Sequence, residues 1–367
     1  MTSNYSYQFT ALRGLQAGRS FYTIMCPMKL VPRIFIFDEE ELDPSLRAQR
    51  TINRTRVPEI ARYIVANPEE YVFSSITASV NSSVEFDPLV ERNREIGTLK
   101  IPMTATFVVN DGQHRRAAIE EALKERPELG DETISVVLFI DAGLRRSQQM
   151  FADLNKHAVR PTASLGVLYD HRDSCAELAR NLAEENPTFQ TLTEMEKSSI
   201  SNRSKRLFTL SSIYRATKRL LSLGSKDEPT TKQAALAHEY WRVVGEHIAD
   251  WRAVRDGEMR SSELRSDCVH AHGVALQALA NLGAALVEQK PTSWREELRK
   301  LKDVDWSRRN GDVWEGRALV GGRINKTQNH VTLTSNYLKA VLGLPLNESE
   351  AKVERAYARG RRSLQKV

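Results

Sequence analysis

The sequence predicts an α/β (α+β) domain over residues 1–160, followed by a mainly α-helical domain over residues 161–367. Three observations carry this. Before residue 160, β-branched apolar runs such as 104–109 and 133–140 alternate with helix-forming stretches, the mark of a mixed sheet with helices. Pro161 then interrupts the chain. Beyond it, apolar residues recur at helical spacing over 163–186, 207–223, 231–255 and 263–288.

The elements follow in order. Residues 1–19 carry few apolar side chains and read as a loose tail. Residues 21–37, which include Arg33-Ile34-Phe35-Ile36-Phe37, read as strands. Residues 58–66 read as a short helix, with Pro58 in its first turn and Pro68 past its end. A strand is expected at 71–80, then a polar loop or long hairpin connection at 81–98. Strands at 104–109 and 133–140 flank a helix, and 144–156 forms another, with Met150, Phe151 and Leu154 inward. In the second domain, 222–230 is a linker containing Gly224 and Pro229. Residues 306–344 carry Gly311, Gly316, Gly321 and Gly322 before a short helix at 335–342. A charged helix runs from Ser349. There is no internal repeat.

Composition bounds the function. Of 367 residues, 41% are hydrophobic, enough for a sizeable core. No run of 18 apolar residues and no signal-type segment occurs, so a soluble, cytoplasmic protein without membrane association is expected. Lys and Arg number 53 against 47 Asp and Glu, a net charge of +6. The excess is mild, but arginines gather at Arg47–Arg56, Arg115-Arg116, Arg203–Arg206, Arg308-Arg309 and Arg359–Arg362. Guanidinium forks suit bidentate phosphate contacts. Cys26, Cys175 and Cys268 are far apart, with no metal-type spacing, so no zinc site, iron–sulfur cluster or disulfide framework is expected.

The most informative segment is 104–123, TATFVVNDGQHRRAAIEEAL. An apolar run stops at Asn110-Asp111-Gly112, a turn signal, and a helix former follows. A strand, glycine turn and helix aim free backbone N–H groups at one spot, where an anion fits. Gly112 allows close approach. Gln113 opens the helix, and Arg115 and Arg116 offer phosphate forks. His114 is a donor to phosphate or an acid/base. Asp111 either holds a metal ion or a water, or caps the helix. The GK[ST] ending of a P-loop is absent, which excludes an ordinary P-loop ATPase at this position.

Asp111-Gly112-Gln113-His114-Arg115 resembles the DGQHR motif of the DndB-like proteins, which accompany DNA phosphorothioate (sulfur) modification. Three further stretches are similar to that family: RTINRTRVPEIARYIVANPEEYVFSSITASV (50–80), SQQMFADLNKHAVRPTASL (147–165) and EMEKSSISNRSKRLFTLSSIYRAT (194–217). The likeness covers most of the chain and weakens in the last third. More remotely, the motif resembles the glycine-arginine turn of the ParB and sulfiredoxin folds, which place a nucleotide phosphate at the same helix N-terminus. The resemblance implies a ParB/sulfiredoxin-like first domain. It also implies a DNA-binding transcriptional regulator, a repressor, of a sulfur-modification gene cluster. The alternative is an ATP- or NTP-hydrolysing enzyme of that system, with Asp111 and His114 catalytic and ATP with Mg²⁺ as cofactor. The expected partners are double-stranded promoter DNA, other sulfur-modification proteins and a second copy of the chain.

Other residues are candidates with plainer readings beside them. Arg54 and Arg56 lead into the first helix; they approach the phosphate from the other side, or form a solvated face. Asn155, next to an Asp153/His157 pair at i,i+4, completes the site or sits on a helix end. Arg203, Lys205 and Arg206 lie in a short polar loop and contact DNA phosphates or only solvent. Arg323 and Lys326 follow Gly321-Gly322, where the first helix of a helix-turn-helix is missing. Cys26, among apolar neighbours, is expected to be buried and inert. His270 and His272 diverge on a helix and do not pair for a metal.

Overall fold

A computed structural model describes residues 5–36, 56–90, 93–140, 146, 149–150, 152–154, 161–224 and 227–364. The chain divides into two compact units, Met1–Val159 and Arg160–Val367. The architecture is α+β, with a mixed sheet in the first unit and a helical second unit.

The first unit is built on eight strands: β1 (Ser6–Gln16), β2 (Arg19–Pro27), β3 (Phe35–Ile36), β4 (Ile76–Val80), β5 (Glu85–Val90), β6 (Asn93–Pro102), β7 (Phe107–Asp111) and β8 (Thr133–Ile140). Their order across the sheet is β3-β7-β4-β8-β2-β1-β6-β5. The pairs β3/β7 and β4/β8 are parallel, and the remaining neighbours are antiparallel. Helices α1 (Val31–Ile34), α2 (Val57–Ala66) and α3 (Gln113–Glu125) accompany the sheet. Phe35, Ile64, Ile76, Val109, Ile119 and Val136 are fully buried in its core.

Two expectations are corrected here. Residues 6–16 are not a loose tail but an interior strand of the sheet. Only Phe9 and Ala11 are buried along β1. A strand with one wet face needs few apolar residues. The turn that returns the chain uses Ala17 and Gly18, both with positive φ (49° and 72°), as a two-residue hairpin requires. Residues 85–102 likewise form the paired strands β5 and β6 rather than a loop. Their polarity reflects exposure, because β5 is the sheet edge and is exposed at five of its six positions.

The second unit comprises α4 (Ala163–Tyr169), α5 (Ser174–Glu185), α6 (Leu210–Leu220), α7 (Thr231–His247), α8 (Ala249–Asp256), α9 (Ser261–Asp267) and α10 (Gly273–Gln289). They are followed by α11 (Trp294–Glu297), α12 (Gly311–Trp314), α13 (Gln328–Leu342) and α14 (Glu348–Leu364), with the short pairs β9/β10 (Thr193–Glu194, Phe208–Thr209) and β11/β12 (Leu319–Val320, Arg323–Ile324) between helices. α10 is buried on most of its surface, from Val274 to Leu286, and Trp241, Trp251 and Trp314 pack in the same core. Three long helices expected from periodicity are each broken in two. At 170–173 the Asp173 side chain accepts from the amides of Cys175 and Ala176 and starts a new helix. Ile248 interrupts between α7 and α8, and residues 268–272 leave the helix where Cys268 bridges Ser307. Hydrophobic spacing runs through such breaks because both halves face one core. α13 begins at Gln328, seven residues before the predicted start, so Thr334, Ser335 and Asn336 are interior and buried.

Candidate functional site

The motif sits where the sequence places it. β7 ends at Asp111, Gly112 is the N-cap of α3, and Gln113 is its first residue. The β4/β7 pairing shifts register between Val109 and Asp111, leaving Asn110 as the bulged residue. Asn110 is buried and its amide donates to Ser79 Oγ at 2.5 Å. Gly112 has φ +102°, and a Cβ there would meet Arg115 Nη2 at 3.0 Å and Ile76 Cγ1 at 3.1 Å. Glycine is therefore required on both conformational and steric grounds.

No side chain caps α3, which removes the reading of Asp111 as the helix cap. Its carboxylate accepts from Arg115 Nη2 at 2.8 Å, and the same nitrogen donates to the Ser75 carbonyl at 2.9 Å. Arg115 Nε is buried without a hydrogen-bond partner among the described residues. The structure brings Arg56, at the start of α2, close enough to act on His114. Burial first, then the charges of Arg56 and Arg115, hold the imidazole below its ordinary pKa, and Asp111 opposes them. Arg116 has a different use. It donates to the Phe35 and Pro32 carbonyls at 3.0 and 2.8 Å and pairs with Glu120, bracing α3 against α1 and β3. Gln113 is buried. Arg54 and Asn155 lie outside the described residues.

In the second unit, Arg203, Lys205 and Arg206 line a groove of about 880 Å³ together with Arg255 and Arg260. No carboxylate lines it among the described residues. Arg203, Lys205 and Arg260 are exposed. Arg206 is tied to the Thr191 carbonyl, and Arg255 pairs with Asp256, which lies outside the lining. The loop is held from beneath by Arg265, a buried guanidinium that donates to the carbonyls of Ser201, Ser204 and Arg206. Ser261 Oγ adds a bond to the Ser204 carbonyl at 2.5 Å. A rigid basic loop results, with two long cations free to reach outward.

A second cavity of about 360 Å³ shares Asn202 and Ser262 with that groove and is lined by Arg265, Arg308, Lys326 and His272. Arg323 is exposed on β12 outside this lining. Arg317 pairs with Glu354 and donates to the Leu333 carbonyl, so it belongs to the packing of α13 and α14. Arg255, Arg260, Arg265 and Arg308 were not legible as site residues. Arg255, Arg260 and Arg265 are single arginines and Arg308 belongs to the Arg308-Arg309 pair; they lie apart in the sequence and are joined only by folding.

One cluster has the look of a metal centre or a nucleophile site: Asp250, Cys268 and His270. The hydrogen bonds decide against both. Trp251 Nε1–H donates to His270 Nδ1 at 3.0 Å, so the ring's proton lies on Nε2, facing Asp250 at 2.9 Å. No lone pair remains for a metal or for a thiol proton. Burial pushes the Cys268 thiol up to about 11. Cys26 is fully buried and its pKa is raised to about 12, an inert thiol.

The structure is that of an α+β protein, with one basic cluster at the start of α3 and another lining the groove of the second unit. Its family can be stated: the chain belongs to the DndB family, DNA-sulfur modification-associated, whose model matches residues 9–345. No curated protein and no solved structure matches the chain. Among the described residues no helix is long and apolar enough to cross a membrane.

Proposed function

We propose that this protein binds duplex DNA through the groove around the Ser201–Arg206 loop and acts as a transcriptional repressor of a DNA phosphorothioate modification gene cluster. The observation that carries the DNA reading is the groove itself: five cationic side chains and no lining carboxylate among the described residues. Family membership supplies the link to sulfur modification. Arg203, Lys205 and Arg260 meet backbone phosphates, and Arg323 and Lys326 extend the basic surface. Such contacts position a protein on DNA, and sequence discrimination needs further base contacts. A repressor of this kind works as a symmetric dimer in the cytoplasm, beside other proteins of the modification system. The test is fluorescence anisotropy with a duplex from the gene cluster's own promoter, across a salt series. Affinity should fall steeply with salt, with a log–log slope of about −0.9 per phosphate neutralised. Affinity indifferent to salt would remove the reading.

A second reading concerns the motif. Arg56 beside His114, and the unpartnered Nε of Arg115, favour a nucleotide phosphate at the mouth of α3, where the first-turn amides lack helical acceptors. ATP with Mg²⁺ is the ligand this reading takes, with Asp111 and His114 as the catalytic pair, Gly112 giving close approach and Arg115 bridging to phosphate. Arg116 drops out of it, because the Phe35 and Pro32 carbonyls and Glu120 already engage its guanidinium. Calorimetric titration of ATP and Mg²⁺ into wild type and Arg115→Ala, with phosphate release measured in parallel, separates binding from turnover.

A further inference from the structure

The cavity beside the groove has properties that DNA backbone binding does not require. Its volume of about 360 Å³ falls in the range of small-molecule sites, roughly 300–1,000 Å³. Three cations reach its wall: Arg265, Arg308 and Lys326. Hydroxyls and an amide complete the polar lining, including Ser198, Ser199, Asn202 and Ser212, and no carboxylate lines it among the described residues. Two helices begin at this wall. Thr209 and Ser212 belong to the first turn of α6, and His272 and Gly273 to that of α10. The α10 end is open: its N-cap, His272, gives no side-chain cap, so the Gly273 and Val274 amides have no acceptor within the helix. Both helix dipoles place partial positive charge at the same place.

The two arginines are already positioned. Arg265 is clamped on the Ser201, Ser204 and Arg206 carbonyls, and Arg308 donates to the Arg265 and Gly322 carbonyls. They contribute charge and rigidity rather than loose reach. Lys326 is exposed and hydrogen-bonds to none of the described residues, so it is the cation able to close on a ligand. The surroundings already register the positive field. Burial is the main cause of the depressed His272 pKa, and Arg308, Lys326 and Arg265 push it further in the same direction.

We propose that this cavity is a binding site for the phosphate group of a small phosphate ester, of nucleoside monophosphate size, held by Lys326, the Arg265/Arg308 field and the open amides of α10. It is distinct from the motif turn of the first unit, and it stands apart from the DNA reading although it shares Asn202 and Ser262 with the groove. A ligand there sits beside the loop that carries Arg203 and Lys205, so its occupancy bears on DNA affinity.

The test uses the full chain. Melting temperature and calorimetric affinity are measured with inorganic phosphate and with AMP, against sodium chloride at matched ionic strength. Wild type is compared with Lys326→Gln, Lys326→Arg, Arg115→Ala and the Arg203→Ala/Lys205→Ala pair. The expected result is a phosphate-specific rise in melting temperature for wild type. Lys326→Gln should weaken binding about tenfold, the loss of one charge-assisted contact, and Lys326→Arg should restore most of it. Arg115→Ala and the double variant should bind AMP like wild type, while the double variant loses duplex DNA and Arg115→Ala keeps it. No phosphate-specific effect in wild type overturns the proposal. So does unchanged AMP affinity in Lys326→Gln, or a loss confined to Arg115→Ala, which places the ligand at the motif. Loss of DNA binding without loss of AMP binding, or the reverse, tells which of the two readings has failed.

Discussion

The motif turn of the first unit and the basic cavity of the second use the same ingredients, arginine, histidine and a helix N-terminus, yet differ in how their charge is balanced. At the turn, Asp111 pairs with Arg115 and Glu120 with Arg116, so the fold supplies its own anions. At the cavity, no lining carboxylate is present among the described residues, and the arginines lean on carbonyl oxygens instead. Carbonyls satisfy donors without cancelling charge. The comparison teaches that a cluster of arginines in a sequence becomes an attractive surface only where folding withholds the counter-charge. The two histidines show it directly. Asp111 opposes the depression of the His114 pKa, whereas at His272 only one backbone hydrogen bond opposes burial and cationic repulsion.

The largest effect expected from breaking this arrangement is at Arg265. Arg265→Met removes the donors from three carbonyls of the Ser201–Arg206 loop and should lower stability by roughly 3–5 kcal/mol, in the range for disrupting a buried charged network. Urea denaturation measures it. A change under about 1 kcal/mol would mean the loop holds itself, and the rigid-platform account would fail.

Acid should separate the two sites next. His272 titrates near 4 in the folded protein, below its ordinary value of 6.5. The unfolded chain therefore takes up the proton first. The associated stability is whole above about pH 6.5 and declines as pH falls toward 4, by about 3 kcal/mol at most. His270, also depressed, acts in the same direction. Denaturation series between pH 7 and 4 should show this limb, and Lys326→Gln should shrink it by relieving one repulsive charge. A limb of unaltered size would show that the Lys326 charge does not act on His272.

Arg203→Ala with Lys205→Ala should weaken duplex DNA binding by about 2–3 kcal/mol and reduce the salt slope by about two, one per lost phosphate contact. An equal loss on all sequences is the signature of backbone contact. Anisotropy titrations at three salt concentrations decide, and an unaltered slope would return the loop to ordinary solvated surface.

The smallest effect sharpens the motif side. Gly112→Ala must adopt φ near +102° and crowd Arg115 and Ile76. A cost of about 1–3 kcal/mol is expected, read as a lowered melting temperature. An unperturbed melting temperature would show that the turn relaxes, and that Gly112 serves close approach of a ligand rather than the fold.

Much of this was legible in the sequence for local reasons. The turn at Asn110-Asp111-Gly112, the helix beginning at Gln113 and the strand over Thr133–Ile140 follow from glycine chemistry and β-branched runs, which act within a few residues. The basic loop at 203–206 was visible as an uninterrupted polar stretch. β1 was not, because Phe9 and Ala11 are too sparse a signal until the neighbouring strands supply a buried face. Nor were the helix breaks at 170–173, 248 and 268–272, where the apolar spacing continues through the interruption.

The sequence by itself determined the class of fold, the strand–turn–helix motif and the presence of many guanidiniums. Only the tertiary structure decided which of them face inward and which gather. Arg116 turned out to brace Phe35 and Pro32, some 80 residues earlier in the chain, while Arg255 and Arg260 joined the 203–206 loop. The reason is physical. A cation's role depends on the acceptors and anions within a few ångströms, and those arrive from distant segments that meet only when the core closes.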